Sequence, residues 1–249
     1  MKIVNAESTL KAHREIWNEK PVLRKIYSEY FTLIKNACEE GVTLEIGGGS
    51  GHFKEYLPES IILDIVSLPW IDVIADAQKL PFKNNSIANI VMVDVLHHIE
   101  FPVVFFREVK RVLRHGGRLI FIEPAITPLS WILLHLFHPE PIDLEQNPLL
   151  EKQSDPSRLP FDANQAIPTL LFKRYRTIFC HQFPDLKIIT LKYLDCVVYP
   201  LSGGFRPWCL IPVPLTHYML KIEHKLIRVL GPLIAFRMYC VIEKVGKIS

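Results

Sequence analysis

Four carboxylates punctuate the first half of the chain at the ends of short apolar runs. Glu45 lies in Thr43-Leu-Glu-Ile, Asp64 closes Ile61-Ile-Leu-Asp, Asp76 follows Ile71 to Ala75, and Asp94 follows Ile87 to Val93. Each run has the length and composition of a buried strand. In an open parallel sheet, ligands bind at the carboxyl ends of the strands, where all four acids would sit. Such a rim suits a ligand carrying positive charge and hydroxyl groups, and repels phosphates. Two adjacent histidines, His97 and His98, follow the fourth run. Imidazole titrates near neutral pH, so either could act as a general base.

Between the first two carboxylates lies Gly47-Gly48-Gly49-Ser50-Gly51, a G-x-G-x-G loop. Glycines permit the sharp turn from strand to helix and let a ligand approach the backbone closely. A dinucleotide fingerprint needs G-x-G-x-x-G, and its third glycine would fall on His52. That match fails.

These residues need a scaffold. Over 42–123, runs of strand character (42–46, 61–65, 71–75, 87–93 and 118–122) alternate with helical segments, including one starting near Gly51 and one over 102–113. This is the pattern of a parallel sheet with right-handed crossovers. Residues 1–40 place Trp17, Leu23, Ile26, Tyr27, Tyr30, Phe31 and Ile34 at helical spacing, a helical cover over the sheet edge or the ligand mouth. After Pro124 prolines crowd the chain up to Pro184, which forbids long regular elements. Residues 124–185 therefore read as a lid. Strand character returns at 186–193 and 236–245, with an apolar helix over about 216–229.

At 249 residues the chain can bury a full core as a single domain. A formal charge of +3 is too small to imply nucleic acid. Five cysteines with no C-x-x-C pair argue against a disulfide framework and point to a reduced, cytoplasmic protein. Residues 1–20 lack the apolar core of a signal peptide. The oiliest run, 128–138, is too short to span a bilayer.

The stretch 42–123 resembles the class I S-adenosylmethionine-dependent methyltransferases, including a bacterial subgroup of the type 11 methyltransferases. The resemblance rests on Glu45-x-Gly47-x-Gly49-x-Gly51, Asp64, Asp76-Ala77-x-x-Leu80-Pro81-Phe82, Val95-Leu96-His97-His98-Ile99 and Leu113-Arg114-x-Gly116-Gly117. It departs at Gly48, where many relatives carry a larger residue. It implies a Rossmann-like doubly wound α/β fold, with a seven-stranded mixed sheet whose last strand is antiparallel. It also implies S-adenosylmethionine as cofactor and S-adenosylhomocysteine as product. Glu45 and Gly47, Gly48, Gly49, Ser50 and Gly51 would hold the methionyl part, and Asp64 the ribose. Asp76 and Ala77 would bracket the adenine, and Asp94 would lie near the methionyl amine.

The acceptor side is read more coarsely. His97 and His98 are candidate bases, although neighbouring side chains are not expected to face the same way. His135-x-x-His138-Pro-Glu140-Pro-Ile-Asp143 contains metal-ligand residue types. Its prolines break any continuous helix, so it reads as a lid loop with His138 as a further catalytic or acceptor-contacting candidate, and no metal is expected. Apolar residues of the lid and of 208–213, among them Trp131, Leu134 and Trp208, would form an acceptor pocket or a membrane-facing surface. A hydrophobic small molecule or a lipid-linked acceptor at the inner membrane face fits them, through peripheral membrane contact. Phe172-Lys173-Arg174-Tyr175-Arg176 could touch phosphates. Nucleic acid is disfavoured because no Asn/Asp-Pro-Pro-aromatic tetrad follows the fourth strand. Two rival readings are a cofactor-binding module without methyl transfer and a nicotinamide-dependent oxidoreductase.

Overall fold

The computed structural model describes residues 2–137, 140–151 and 153–246. Two helices open the chain, α1 (Lys2–Glu19) and α2 (Pro21–Lys35). The sheet strands are β1 (Thr43–Ile46), β2 (Ile61–Asp64), β3 (Val73–Ile74), β4 (Ile87–Val93), β5 (Leu113–Pro124), β6 (Leu186–Leu194) and β7 (Arg237–Lys244). Between β4 and β5 lies α3 (Pro102–Val112). After β5 come α4 (Pro128–Phe137), a short turn α5 (Ile167–Thr169) running into a π-turn, and α6 (Arg176–Gln182). After β6 come α7 (Val198–Ser202) and α8 (Thr216–Ile234).

The seven strands pair in the order β3-β2-β1-β4-β5-β7-β6. Strands β1 to β5 pair in parallel, and β7 is antiparallel to both neighbours. The expected mixed sheet is thus present. Its central strands send alternate residues to opposite faces, as strand geometry requires. Ile90, Met92, Leu119, Phe121, Cys240 and Ile242 pack with Phe105, Phe106, Phe172 and Phe179. On the opposite face Val91, Ile120, Ile122, Tyr239 and Val241 pack with α2.

The alternation of strands with helices over 42–123 is corrected. Between β1 and β4 no α-helix forms, and the expected helix after Gly51 is a single 3₁₀ turn, Phe53–Glu55. Pro58 and the nine residues between Gly51 and β2 leave no room for a longer one. The face that a crossover helix would cover is filled by α2, which buries Leu23, Ile26, Tyr27, Tyr30, Phe31 and Ile34. Each such side chain removed from water contributes about 1.5–3 kcal/mol. Strand β5 is longer than 118–122 because its first residues already pair, Leu113 opposite Ile87, before a bulge. Helix α8 runs past 229 with Pro232 inside its last turn.

Candidate active site

The glycine loop is held from below and from above. Gly47, Gly49 and Gly51 all have φ between 42° and 75°. A Cβ on Gly47 would lie 2.4 Å from Val95 Cγ2, and one on Gly48 would lie 2.1 Å from Ile62 Cγ2. The departure at Gly48 is therefore compelled by packing in this chain. Asp64, at the end of β2, accepts hydrogen bonds from the Gly49 N–H (3.0 Å) and the Val66 N–H (2.9 Å). From above, Trp70 Nε1 donates to the Gly49 carbonyl (2.8 Å) and Arg14 of α1 to the Ser50 carbonyl (2.7 Å).

A cavity of about 1000 Å³ is lined by this loop and by residues of the 124–185 segment. Ligand pockets span roughly 300–1,000 Å³, so it has space for a cofactor and an acceptor together. Glu45, Gly47, Gly48, Gly49, Ser50, Asp64, Asp76, Ala77, Asp94, His97 and His98 all line it. Gly51 does not, since its Cβ position points at Trp70 and Arg14. His138 lies outside the described residues.

The acidic rim carries less negative charge than four carboxylates suggest. Burial, reinforced by neighbouring Asp64, pushes Glu45 up to about 8, and its Oε2 has no hydrogen-bond partner. Burial also raises Asp64, against the pull of its backbone N–H donors. Asp76 accepts from the Gln78 N–H (2.8 Å). Asp94, in the left-handed region at φ 59°, pairs with Arg237 and faces the Tyr27 hydroxyl at 3.4 Å. Arg237 is itself buried, 4.0 Å above the Tyr199 ring, and its Nε lies 3.7 Å from Asp195. Asp195 accepts the Tyr30 hydroxyl, and burial pushes it up to about 7 against the pull of Arg237.

The two histidines differ sharply. They sit on a 3₁₀ turn, Leu96–His98, not an extended strand, so both face the cavity with ring centroids 4.2 Å apart. The expectation that adjacent residues must diverge is corrected, because it presumed strand geometry. Glu123, fully buried at the end of β5, accepts the N–H groups of Val95 and Leu96 (both 2.7 Å) and His97 Nδ1 (2.6 Å). Glu140 of the lid lies 3.5 Å from His97 Nε2 and accepts the Gln165 amide. Burial alone would lower His97, but Glu123 and Glu140 outweigh it and hold the ring up at about 10. His97 is therefore a cation at neutral pH. Burial and the His97 charge push His98 down to about 4, and its Nδ1 is buried without a partner.

Among the described residues, His135, Glu140 and Asp143 are not brought together as metal ligands. His135 hydrogen-bonds the Trp131 carbonyl on an exposed face, and Asp143 caps the turn at Glu145. Only Glu140 reaches the cavity, where its carboxylate and the His97 and His98 nitrogens lie within 4.8 Å of one another. The His97–Glu140 ion pair uses two of those three groups. Phe172 of the basic-aromatic run is buried in the core, and Lys173 lies over the Tyr193 ring. Phe172 thus anchors the run in the core while Lys173, Arg174 and Arg176 stay exposed.

Sequence reasoning missed Glu123, Arg237 and Asp195 as site residues. A signal existed for Arg237, a cation in the otherwise apolar Phe236 to Ile242, because a buried charge must be paired.

A methyltransferase-domain family matches residues 44–121, the stretch that carries the glycine loop and the first three carboxylates as well as Asp94. Over this stretch, about a third of the chain, the sequence is similar to that methyltransferase-domain family. The residues present fit the S-adenosylmethionine that the sequence resemblance implies. The orphaned Glu45 oxygen suits an ammonium group, and the glycine cradle leaves space that any side chain would fill. An uncharacterized protein of Methanocaldococcus jannaschii is 33% identical over 103 residues, covering 38% of this chain and 50% of that protein. The chain thus spans about half the length of this curated relative. Two solved structures share the fold. A SAM-dependent methyltransferase from Archaeoglobus fulgidus has TM-score 0.51 at 15% identity, with 90% of this chain and 94% of that one covered. One from Thermotoga maritima has TM-score 0.51 at 16% identity, with 92% and 94% covered.

Proposed function

We propose that this chain is an S-adenosylmethionine-dependent methyltransferase acting on a hydrophobic small molecule or a lipid-linked acceptor. The observation that carries this reading is one cavity with two chemically different ends. At one end are the glycine loop and Asp64, and at the other the apolar side chains of Leu133, Leu134, Trp208 and Leu210. The bound cofactor would supply an electrophilic methyl group on a sulfonium. The chain's own residues would align the acceptor with that methyl and exclude water. Gly47 to Ser50 and Glu45 would hold the methionyl part, Asp64 the ribose hydroxyls, and Asp76 with Ala77 the adenine.

In this reading the two histidines divide the work. His97 is protonated between Glu123 and Glu140, so it cannot take a proton. It would position the turn and tie the lid to the core. His98 is neutral, and its bare Nδ1 can accept the proton of an acceptor hydroxyl. The 124–185 wall sets Leu133, Leu134, Leu159 and Phe161 beside polar Glu140, Arg158 and Gln165, which suits an acceptor with a polar group on an apolar body. A nicotinamide cofactor is disfavoured, because the loop departs from G-x-G-x-x-G and opens a single 3₁₀ turn instead of a helix N-terminus that could hold its phosphates.

Two measurements test this. S-adenosylhomocysteine should raise the melting temperature and NAD should not, because a ligand of the native state stabilises it. Incubation with methyl-labelled cofactor and membrane-lipid extract should place label in the organic phase. Cofactor binding with no transfer to lipids, quinones or polyketides would favour the binding-module reading. An NAD-dependent absorbance change would overturn both.

A further inference from the structure

Two elements that contribute to the cavity, α4 and the segment before α8, belong to an outer face that is apolar beyond what an acceptor pocket requires. Helix α8 is apolar on two sides. Its inner side buries Thr216, Leu220, Glu223 and Gly231. Its outer side carries Tyr218, Ile222, Leu226, Val229 and Leu233, spaced as one helical stripe. Val229 is 78% exposed, Tyr218 64% and Ile222 60%. Helix α4 packs against α8 and adds exposed Trp131, Ile132 and Leu136, and the loop before α8 adds Leu210 at 69%. Leu133 and Leu134 of α4, with Trp208 and Leu210 of the loop, also line the cavity.

The charge that this part of the chain itself supplies has one sign, while Glu29 of α2 faces His224 of α8 at 3.1 Å. From Phe205 to Phe236 the only carboxylate is Glu223, which is buried, whereas Arg206, Lys221, Lys225 and Arg228 are all cations. Helix α4 contains no carboxylate. Lys221, Lys225 and Arg228 fall along one flank of the outer stripe of α8, and all three are exposed. An apolar stripe flanked by cations is the pattern of a helix lying in a bilayer interface. No described helix is long and apolar enough to cross a membrane.

We propose that α4, the 208–215 segment and α8 form a docking face for an anionic lipid bilayer, with the cavity mouth opening onto it. The proposal rests on the apolar-acceptor reading above and names where such an acceptor would enter. Its mode is surface insertion: the outer stripe sinks among the acyl chains while Lys221, Lys225 and Arg228 meet anionic headgroups. A protein partner would instead be expected to supply acidic side chains, and a second copy would set like charges against each other.

The test uses the full chain with vesicles of phosphatidylcholine alone or mixed with phosphatidylglycerol. The wild type should co-sediment with the mixed vesicles, and binding should weaken at high salt. Ile222→Asp combined with Val229→Asp should reduce binding at least tenfold. Lys221→Glu with Lys225→Glu and Arg228→Glu should remove the preference for anionic lipid. None of these residues lines the cavity, so the thermal shift given by S-adenosylhomocysteine should be unchanged in every variant, which also shows that they fold. Wild type that stays in the supernatant with both vesicles overturns the proposal, as does undiminished binding by the double Asp variant. A dimer by light scattering that Val229→Asp converts to a monomer, without vesicle binding, overturns it in favour of a contact between copies. Loss of the S-adenosylhomocysteine shift in the wild type would defeat the methyltransferase reading instead and leave the vesicle result standing.

Discussion

The two ends of the cavity are built by different means. The glycine-loop end is mostly backbone from one contiguous stretch, β1 through β2, with Asp64 fastening the loop through the Gly49 N–H and its own turn through the Val66 N–H. The lid end is assembled from side chains far apart in sequence: His97, Glu123, Glu140 and Gln165, with Arg237 and Asp94 beside them. A backbone cradle tolerates almost no added atom, whereas a side-chain cluster sets its chemistry through charge. The first end should therefore fail sterically and the second should respond to pH.

The largest effect is expected at the cradle. Gly47→Val adds a branched side chain at φ 66° and into the space of Val95. Backbone strain of about 1–3 kcal/mol combines with direct obstruction. Affinity for S-adenosylhomocysteine, read by calorimetry, should fall by more than about 100-fold. Retention within tenfold would mean that the loop does not approach the ligand.

At the other end His98→Ala should lower turnover by about 10²-fold, the lower part of the range for a general base. A base held near 4 has little proton affinity, so the full effect is not available to it. Cofactor affinity should be unchanged. Because His98 stays neutral above about pH 4, the rate should show no rise centred near 6.5. Such a rise, abolished in His98→Ala, would show that the ring titrates normally and that the contrast with His97 is wrong.

A smaller loss is expected from Asp64→Ala, which removes a carboxylate without filling space. Hydrogen bonds to a charged group are worth about 1.5–3 kcal/mol, so cofactor affinity should drop by roughly 10- to 100-fold. Unaltered affinity would exclude the ribose role.

The same contrast explains what could be read from the residues alone. Glu45, the glycines and Asp64 are legible because a strand-turn-strand unit places them by local spacing. Strand β4 ran over the expected residues, 87–93, because it is a continuous apolar run. The helices between β1 and β4 were not legible as absent, since α2 covers that face from a distant part of the sequence. Glu123 looked like the end of a strand and nothing more. Its role depends on the 3₁₀ turn at Leu96–His98, which only the fold brings beneath it. Arg237 and Asp195 were hidden in the same way, as neighbours across the sheet edge that sequence distance does not reveal.

The subtlest test follows the opposite protonation of the two histidines through stability. His97 is held near 10 in the folded protein, above its ordinary 6.5. The stability it contributes is fully present below about pH 6.5 and is lost as pH rises through about 10. His98 is held near 4, below the same reference. Its contribution is present above about pH 6.5 and is lost as pH falls through about 4. Glu45, Asp195 and Glu223, raised to about 8, 7 and 8, lose stability over pH 4 to 8 and overlap both windows. Wild type must therefore be compared with variant at each pH. The melting-temperature gap between wild type and His97→Gln should narrow from pH 6.5 towards 10. The gap for His98→Gln should change between pH 6.5 and 4 and stay constant above. Glu123→Gln should reduce the His97 effect without touching the His98 one on the alkaline side, because, of the two histidines, it is His97 that bonds to that carboxylate. If both histidine variants converge with wild type in the same pH window, the two rings share one environment and the asymmetry at the lid end fails.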